Sequence, residues 1–185
     1  MDRRLRTLCL AVLVATAAVA APAAPARAEN ERPAVGSVPP AIHGKDWQGR
    51  DVDLSAHQGK VVIVTFWASW CGPCRRELPM LDAIRKTVGP DYLEVIAVNQ
   101  GETRQAFRGV LRANKDTQLT WLHDPRDVNG SNYGVKVLPN MFIIGRDGRI
   151  ASRHLGYGEE SIREIVQEVI ALLPPEALAR PANAP

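Results

Sequence analysis

Two cysteines separated by two residues, Cys71 and Cys74, are the side chains of this 185-residue chain with the clearest chemical potential. A Cys-x-x-Cys pair can close a small disulfide ring and exchange it with a thiol or a disulfide of another molecule. A structural zinc site would need a second pair of ligands at motif spacing, and the only other cysteine is Cys9. The spacing therefore predicts thiol–disulfide redox chemistry, with zinc binding as the alternative.

The residues around the pair predict that Cys71 lies at the N-terminus of a helix. Residues 61–67 form a continuous, mostly β-branched apolar run, which is typical of a strand buried on both faces. Beyond the cysteines the apolar residues follow a helical period, and Pro73 suits the first turn of a helix. Unpaired N–H groups and the helix dipole stabilise a thiolate at that position. Cys71 is therefore the predicted nucleophile, and Cys74 the thiol that resolves the mixed disulfide.

The segment Phe66-Trp67-Ala68-x-Trp70-Cys71-Gly72-Pro73-Cys74-x4-Pro79 resembles the active-site motif of thioredoxin. Over residues 35–173 the chain resembles more strongly the TlpA, ResA and CcmG group of membrane-anchored or periplasmic thiol–disulfide oxidoreductases. The resemblance implies an enzyme whose redox-active disulfide, Cys71–Cys74, works with no other cofactor and no metal. A peroxiredoxin is not indicated, because the threonine–cysteine constellation of that class is missing around Cys71.

Glu77 is the candidate acid–base residue of the site. On spacing alone, a solvated glutamate that follows Arg75 and Arg76 is the favoured interpretation. The resemblance implies the opposite, because ResA- and CcmG-like proteins carry a glutamate in C-x-x-C-x-x-E that lies beneath the disulfide and handles protons. Thr65 occupies the strand position where thioredoxin has an aspartate, and it cannot titrate. Glu77 is therefore expected to be catalytic, to deprotonate Cys74 and to have a pKa raised by partial burial.

The resemblance also implies which residues contact the substrate. Pro139 corresponds to a cis-proline that packs against the disulfide, and the backbone of Leu138 is expected to pair with an extended substrate segment. From the residues alone, Pro139 is an ordinary proline at the start of a strand. Trp70, Gly72 and Pro73 are expected to belong to the same substrate-binding surface, with Trp70 as a partly exposed lip.

Residues 1–28 predict a cleaved signal peptide. They contain a basic start, an almost wholly apolar run over residues 8–21 and a small-x-small cleavage site, Ala26-Arg27-Ala28. An uncleaved membrane anchor is the alternative, but the apolar run is shorter than the about 20 residues that a span needs. Export from a Gram-negative cell leads to the periplasm, where an isolated cysteine pair is expected to be active rather than structural.

The rest of the chain predicts one neutral domain. Beyond residue 28 there are 19 basic and 19 acidic residues, so the formal charge of +3 belongs to the signal segment and does not indicate nucleic-acid binding. A flexible lead is expected over residues 29–40, a thioredoxin-like domain over 41–173 and a disordered, alanine- and proline-rich tail over 174–185.

The pattern of the domain predicts an α/β thioredoxin fold with a mixed central sheet flanked by helices. Two additions to plain thioredoxin are expected: an N-terminal β-hairpin over residues 41–54 and a helix–strand insertion between Val98 and Tyr133. The remaining predicted elements are a helix over 74–88 that contains Pro79, strands over 61–67, 92–98, 140–144 and 149–154, and a final helix over 159–173.

The Gly72-Pro73 dipeptide favours a reductant, because thioredoxin carries the same pair and has a potential of about −270 mV, against about −120 mV for DsbA. A reductant in an oxidising compartment needs electrons, so a membrane donor of the DsbD or CcdA kind is implied. The expected substrates are protein disulfides of apocytochrome c or of oxidase copper-site assembly, and a monomer is expected. The alternatives are an oxidant of folding periplasmic proteins and a copper-binding assembly factor of the Sco kind, although Sco proteins carry Cys-x3-Cys.

Overall fold

The computed structural model describes residues 32–179, so the predicted signal peptide lies outside the described part. Within these residues, a 3-10 helix at Leu54–His57 is followed by five strands and five helices in the order β-α-β-α-β-α-β-β-α-α. The strands are β1 (Val61–Trp67), β2 (Leu93–Gln100), β3 (Thr120–Asp124), β4 (Asn140–Ile144) and β5 (Ile150–Leu155). The helices are α1 (Gly72–Val88), α2 (Arg104–Ala113), α3 (Val128–Asn132), α4 (Glu159–Leu172) and α5 (Pro175–Leu178).

The strands form one mixed sheet in the order β3-β2-β1-β4-β5. β1 is parallel to β2, and β2 is parallel to β3. β4 runs antiparallel to both of its neighbours, β1 and β5. This arrangement confirms the predicted α/β fold with a mixed sheet, and it places the carboxyl ends of β1, β2 and β3 at one edge.

β1 is the central strand, and all seven of its residues are buried. Successive side chains of a strand point to opposite faces of the sheet, so β1 contributes to two cores. Ile63 and Trp67 pack in the cluster that includes residues of α1, α2 and α4. Val64 and Phe66 pack in the second cluster, on the face of the sheet that Tyr133 covers. The continuous apolar run of the sequence is therefore required by burial on both faces.

The predicted helix–strand insertion is confirmed as α2 and β3. Thr103 is the N-cap of α2, and its hydroxyl oxygen accepts a hydrogen bond from the N–H of Ala106 at 3.3 Å. Phe107 and Leu111 lie on the buried face of this amphipathic helix. β3 then adds to the edge of the sheet beside β2, in parallel.

The predicted N-terminal β-hairpin is reduced to one antiparallel bridge, between Lys45 and Asp51. The Asp46 carboxylate accepts hydrogen bonds from the N–H groups of Gln48 and Arg50, both at 2.9 Å, and so closes a tight turn. The backbone of Asp46 also bridges to β3 at Leu122, which takes the segment away from a regular hairpin ladder.

The segment before residue 41 differs from the predicted flexible lead. Residues 32–40 are described and lie along β5, where the Gly36 N–H donates to the Ile150 carbonyl at 2.8 Å. The Ile150 N–H donates in turn to the Ser37 carbonyl at 3.0 Å, and the Arg153 guanidinium donates to the Pro33 carbonyl at 3.0 Å. Residues 29–31 lie outside the described part.

The prediction of a disordered tail from residue 174 is wrong for residues 174–179. Pro175 begins the short helix α5, a position that proline suits, and Ala177 packs against the core cluster beneath α1 and α4. Composition alone indicated disorder, but a single helical turn of this segment packs on apolar surface. Residues 180–185 are not described.

No helix within residues 32–179 is long and apolar enough to cross a membrane.

Candidate active site

The dithiol segment lies where β1 ends and α1 begins. Cys71 is the N-cap residue of α1, with φ −79° and ψ 101°, and Pro73 lies in the first turn. The Cys74 N–H donates to the Cys71 Sγ at 3.2 Å. The sulfur therefore occupies the place of a capping oxygen, where the unpaired N–H groups of a helix converge. This is the placement that the sequence predicted for Cys71.

Cys71 and Cys74 are joined in a disulfide, with their Cα atoms 5.3 Å apart. Cys74 is fully buried, whereas Cys71 retains 4 % of its surface. The neighbouring Trp70 is 74 % exposed, as expected for a lip beside the pair, and Gly72 is also exposed. A partner molecule can therefore approach the pair from the side of Trp70 and Cys71.

Glu77 lies one helical turn beyond Cys74 and is only 1 % exposed, so it is not the solvated glutamate that spacing alone favoured. The Thr65 hydroxyl of β1 donates to its Oε1 at 2.5 Å. Burial raises the pKa of Glu77 to about 7, and the Thr65 hydrogen bond opposes that rise. A carboxyl with this pKa can take up and release a proton near neutral pH.

Tyr157 is a neighbour of this site that the sequence did not reveal. It follows β5 in the loop before α4 and is partly buried. Burial raises the pKa of its hydroxyl, and the charge of nearby Glu77 raises it further, while Arg76 acts in the opposite direction. The loop that carries Tyr157 therefore lies close to Glu77, although no motif or spacing in the sequence connects residues 77 and 157.

The predicted cis bond between Leu138 and Pro139 is confirmed. Asn140, the next residue, pairs with Phe66, so this bond lies beside the end of β1 from which the cysteines follow. Leu138 packs against the core cluster that contains both cysteines. The Pro139 carbonyl accepts a hydrogen bond from the Gly156 N–H at 2.9 Å. The role of Leu138 and Pro139 in substrate binding remains a prediction.

A second carboxylate, Glu102, contacts the loop before Cys71, and the sequence analysis missed it. The N–H of Ser69 donates to Glu102 Oε2 at 2.6 Å, and the Ser69 hydroxyl donates to Oε1 at 2.5 Å. Glu102 follows β2 and Ser69 follows β1, so the sheet brings together residues 33 positions apart. The parallel order of the strands was the only signal that could have suggested this contact.

The metal-ligating side chains of the described residues are not gathered at one point. Within residues 32–179, no group of three or more histidine, cysteine, aspartate or glutamate side chains is placed to hold a metal ion. The chemistry that the described geometry does offer is exchange of the Cys71–Cys74 disulfide beside a buried carboxyl.

The raised pKa of Glu77 predicts the pH dependence of stability of the oxidised protein, in which neither cysteine titrates. The folded state binds the Glu77 proton more tightly than the unfolded state between the ordinary pKa of 4.5 and about 7. The free energy of unfolding should therefore fall as pH rises through that window, by about 3 kcal/mol in total. Glu77→Gln keeps an acceptor for Thr65 and should remove this fall.

Urea unfolding of the oxidised proteins at pH 5, 6, 7 and 8 measures the effect as the difference between wild type and Glu77→Gln. Glu164→Gln, at an exposed position of α4, is the matched control and should follow the wild type. Parallel curves for wild type and Glu77→Gln would show that Glu77 does not titrate in this range.

Comparison with known proteins agrees with this geometry. Residues 35–153 match the AhpC/TSA family. The thiol-disulfide oxidoreductase ResA of Geobacillus thermodenitrificans is 34 % identical over 119 residues, which cover 63 % of this chain and 67 % of that protein. ResA of Bacillus subtilis is 31 % identical over 127 residues, which cover 69 % of this chain and 70 % of that protein.

Solved structures show the same likeness. A Chlorobium tepidum protein assigned as thiol:disulfide interchange protein DsbE superposes with a TM-score of 0.69 at 29 % identity, over 75 % of this chain and 97 % of that one. The exposed lipoprotein thioredoxin Etrx1 of Streptococcus pneumoniae gives a TM-score of 0.62 at 29 % identity, over 72 % of this chain and all of that one. The fold, the capped cysteine pair and these matches agree, and the chain belongs to the AhpC/TSA family as a thioredoxin-like thiol–disulfide oxidoreductase of the TlpA, ResA and CcmG kind.

Proposed function

We propose that this oxidoreductase reduces protein disulfides in the periplasm, during maturation of c-type cytochromes or of the copper site of an oxidase. The observation that carries the proposal is the buried carboxyl of Glu77 on the helix turn after Cys74, with a pKa of about 7. A reductant must deprotonate its resolving thiol in every turnover, and this carboxyl is suited to do so near neutral pH. The resemblance to the TlpA, ResA and CcmG group supports the compartment and the pathway.

The first step is attack by Cys71. In the reduced protein its thiolate, at the N-cap of α1, attacks one sulfur of the substrate disulfide. A mixed disulfide forms between Cys71 and the substrate, and the other substrate sulfur leaves as a thiolate that takes up a proton. Trp70, Gly72, Pro73 and the backbone of Leu138 would contact the substrate chain around this bond.

The second step is resolution by Cys74. Its thiol is buried and gives its proton to the Glu77 carboxylate, one helical turn away. The Cys74 thiolate then attacks the Cys71 sulfur, the Cys71–Cys74 disulfide closes and the second substrate sulfur leaves as a thiolate that also takes up a proton. Two electrons have passed to the substrate, whose two thiolates have each taken up a proton, and Glu77 releases the proton of Cys74 to solvent to reset the site.

Each turnover leaves the pair oxidised, so the cycle requires a supply of electrons. In a periplasm that is kept oxidising, a membrane donor of the DsbD or CcdA kind would reduce the pair again. Residues 1–28 would direct the protein there as a signal peptide. A supply of electrons of this kind would keep a pair with the thioredoxin-type Gly72-Pro73 dipeptide reduced in that compartment.

The reduction potential of the isolated protein tests the direction of electron flow. A reductant of this type should have a potential near that of thioredoxin, about −270 mV, because it carries the same dipeptide between its cysteines. Equilibration with dithiothreitol buffers, followed by tryptophan fluorescence, measures it. A potential near the about −120 mV of DsbA would instead identify an oxidant.

Trapping with single-cysteine variants tests the order of attack. Cys74→Ser should accumulate mixed disulfides with insulin, because Cys71 can still attack but nothing resolves the product. Cys71→Ser should accumulate few, since Cys74 is fully buried. Non-reducing gel electrophoresis after acid quenching measures the trapped species. Equal trapping by the two variants would contradict the assignment of Cys71 as nucleophile.

Glu77→Gln tests the proton transfer. An ionised carboxylate near the thiols opposes thiolate formation, so its removal should lower the apparent thiol pKa. Turnover should nevertheless fall by about tenfold or more near pH 7, because Cys74 has lost its base. The two titrations are coupled, so the measured pKa values belong to the cluster rather than to one residue.

The measurements are the pH dependence of alkylation of the reduced protein and the rate of insulin reduction. Glu164→Gln is the control for loss of a carboxylate elsewhere on the surface, and it should change neither. An unchanged alkylation titration together with unchanged turnover would show that Glu77 has no part in proton transfer.

A further inference from the structure

We propose that Glu102 is a positioning residue of the redox site, which holds the loop before Cys71 so that the sulfur stays at the N-cap of α1. The inference rests on the proposed role of Cys71 as the attacking thiol. Glu102 lies outside the thioredoxin-like motif, in the short connection between β2 and the inserted helix α2.

The loop itself is a single tight turn. The Cys71 N–H donates to the Ala68 carbonyl at 3.1 Å, so residues 68–71 form a β-turn with Ser69 and Trp70 at its centre. Ala68 is fully buried at the end of β1, whereas Trp70 is exposed. The position of Cys71 therefore depends on how firmly the two central residues of this turn are held.

Glu102 holds the first of them with both carboxylate oxygens. Oε2 accepts the backbone N–H of Ser69 at 2.6 Å, and Oε1 accepts the Ser69 hydroxyl at 2.5 Å. A carboxylate that accepts two donors from one residue fixes the direction of that residue as well as its distance. Without Glu102, the Ser69 N–H would lose its hydrogen-bond acceptor and need another one.

Glu102 is itself fixed by the next two strands. The fully buried Asn99, which pairs with Trp67 in the sheet register, donates from Nδ2 to Glu102 Oε2 at 2.6 Å. The backbone carbonyl of Glu102 accepts from His123 Nε2 of β3 at 2.8 Å, which assigns the ring proton to that nitrogen. The His123 ring in turn stacks on Phe107 of α2, with centroids 4.9 Å apart and planes 8° apart.

The contacts predict a specific effect on the Cys71 thiol. If Glu102 holds the turn, its loss allows Cys71 to move away from the N-cap. The hydrogen bond from the Cys74 N–H and the stabilisation of the sulfur by the helix dipole are then weakened. The apparent thiol pKa should then rise towards the value of a free cysteine, about 8.5. If Glu102 acted through its charge alone, its loss would lower the thiol pKa. The two mechanisms therefore give shifts of opposite sign.

The test uses Glu102→Gln, Ser69→Ala and the double variant in the full chain. Glutamine has the same shape but only one acceptor oxygen, and its amide presents a donor to the donors of Ser69 and Asn99. For Glu102→Gln we expect a higher apparent thiol pKa, alkylation at pH 7 slower by about threefold and slower insulin reduction. Ser69→Ala should change the thiol pKa and the two rates in the same direction but by less, because it retains the hydrogen bond from the backbone N–H to Glu102.

Two comparisons separate positioning from general loss of stability. The double variant should be no worse than Glu102→Gln alone, since the two side chains act through one contact. Glu164→Gln removes an exposed carboxylate of α4 and should leave the alkylation titration unchanged. Thermal unfolding of each oxidised protein is measured alongside, and a lower melting temperature with an unchanged thiol pKa would assign Glu102 a structural role only.

A thiol pKa that is unchanged or lower in Glu102→Gln would overturn the proposal, as would additive effects of the two single substitutions. If Glu102→Gln does not fold, the thiol titration of Ser69→Ala decides the question, because that change removes one hydroxyl only. Trapping through Cys74 rather than Cys71 would contradict the proposed function itself. Trapping through Cys71, together with a thiol titration of Glu102→Gln that matches the wild type, would overturn this inference alone.

Discussion

The hydrogen bond between Thr65 and Glu77 connects the packing of this protein to its chemistry. β1 is buried on both faces and paired on both edges, so a polar side chain within it must find its partner inside the core. The Thr65 hydroxyl does so by donating to Glu77, on the helix turn that follows Cys74. The same burial keeps water from the carboxyl and disfavours its charged form, which raises its pKa. Close packing around the disulfide thus produces a carboxyl that titrates near neutral pH.

The two carboxyl groups near the disulfide differ in their hydrogen-bond partners. Glu102 accepts from three donors, two on Ser69 and one on Asn99, which suits a group that only accepts. Glu77 has one donor, the Thr65 hydroxyl, and is buried on the helix turn that follows Cys74. The three hydrogen bonds of Glu102 fix the position of Ser69. Glu77, which accepts only one hydrogen bond, can take up a proton. The proposed cycle uses both, because Cys71 would have to stay at the helix end while the buried thiol of Cys74 gives up its proton.

Much of this arrangement was predictable from local signals. The apolar run of β1, the cysteine spacing and Pro73 predicted the strand, the turn and the helix start, because burial on two faces and a capped first turn each restrict which residues fit. The cis bond before Pro139 was predicted through family resemblance alone. The N-terminal hairpin was overestimated because the Asp46 side chain, rather than a strand ladder, closes that turn. Glu102 was missed because its partners are polar residues with ordinary local roles that only tertiary structure brings together.

The inserted α2–β3 unit shows why the contacts of Glu102 could not be predicted from sequence order. β3 lies at one edge of the sheet, separated from β1 by β2, and the buried residues of α2 pack in the core cluster that also contains both cysteines. However, β1, β2 and β3 are parallel, so the residues that follow them emerge at the same edge. Ser69, Glu102 and His123 meet there in one chain of hydrogen bonds. An insertion that extends a parallel sheet therefore places its ends beside the cysteine pair, and its connecting residues can contact the loop that carries Cys71.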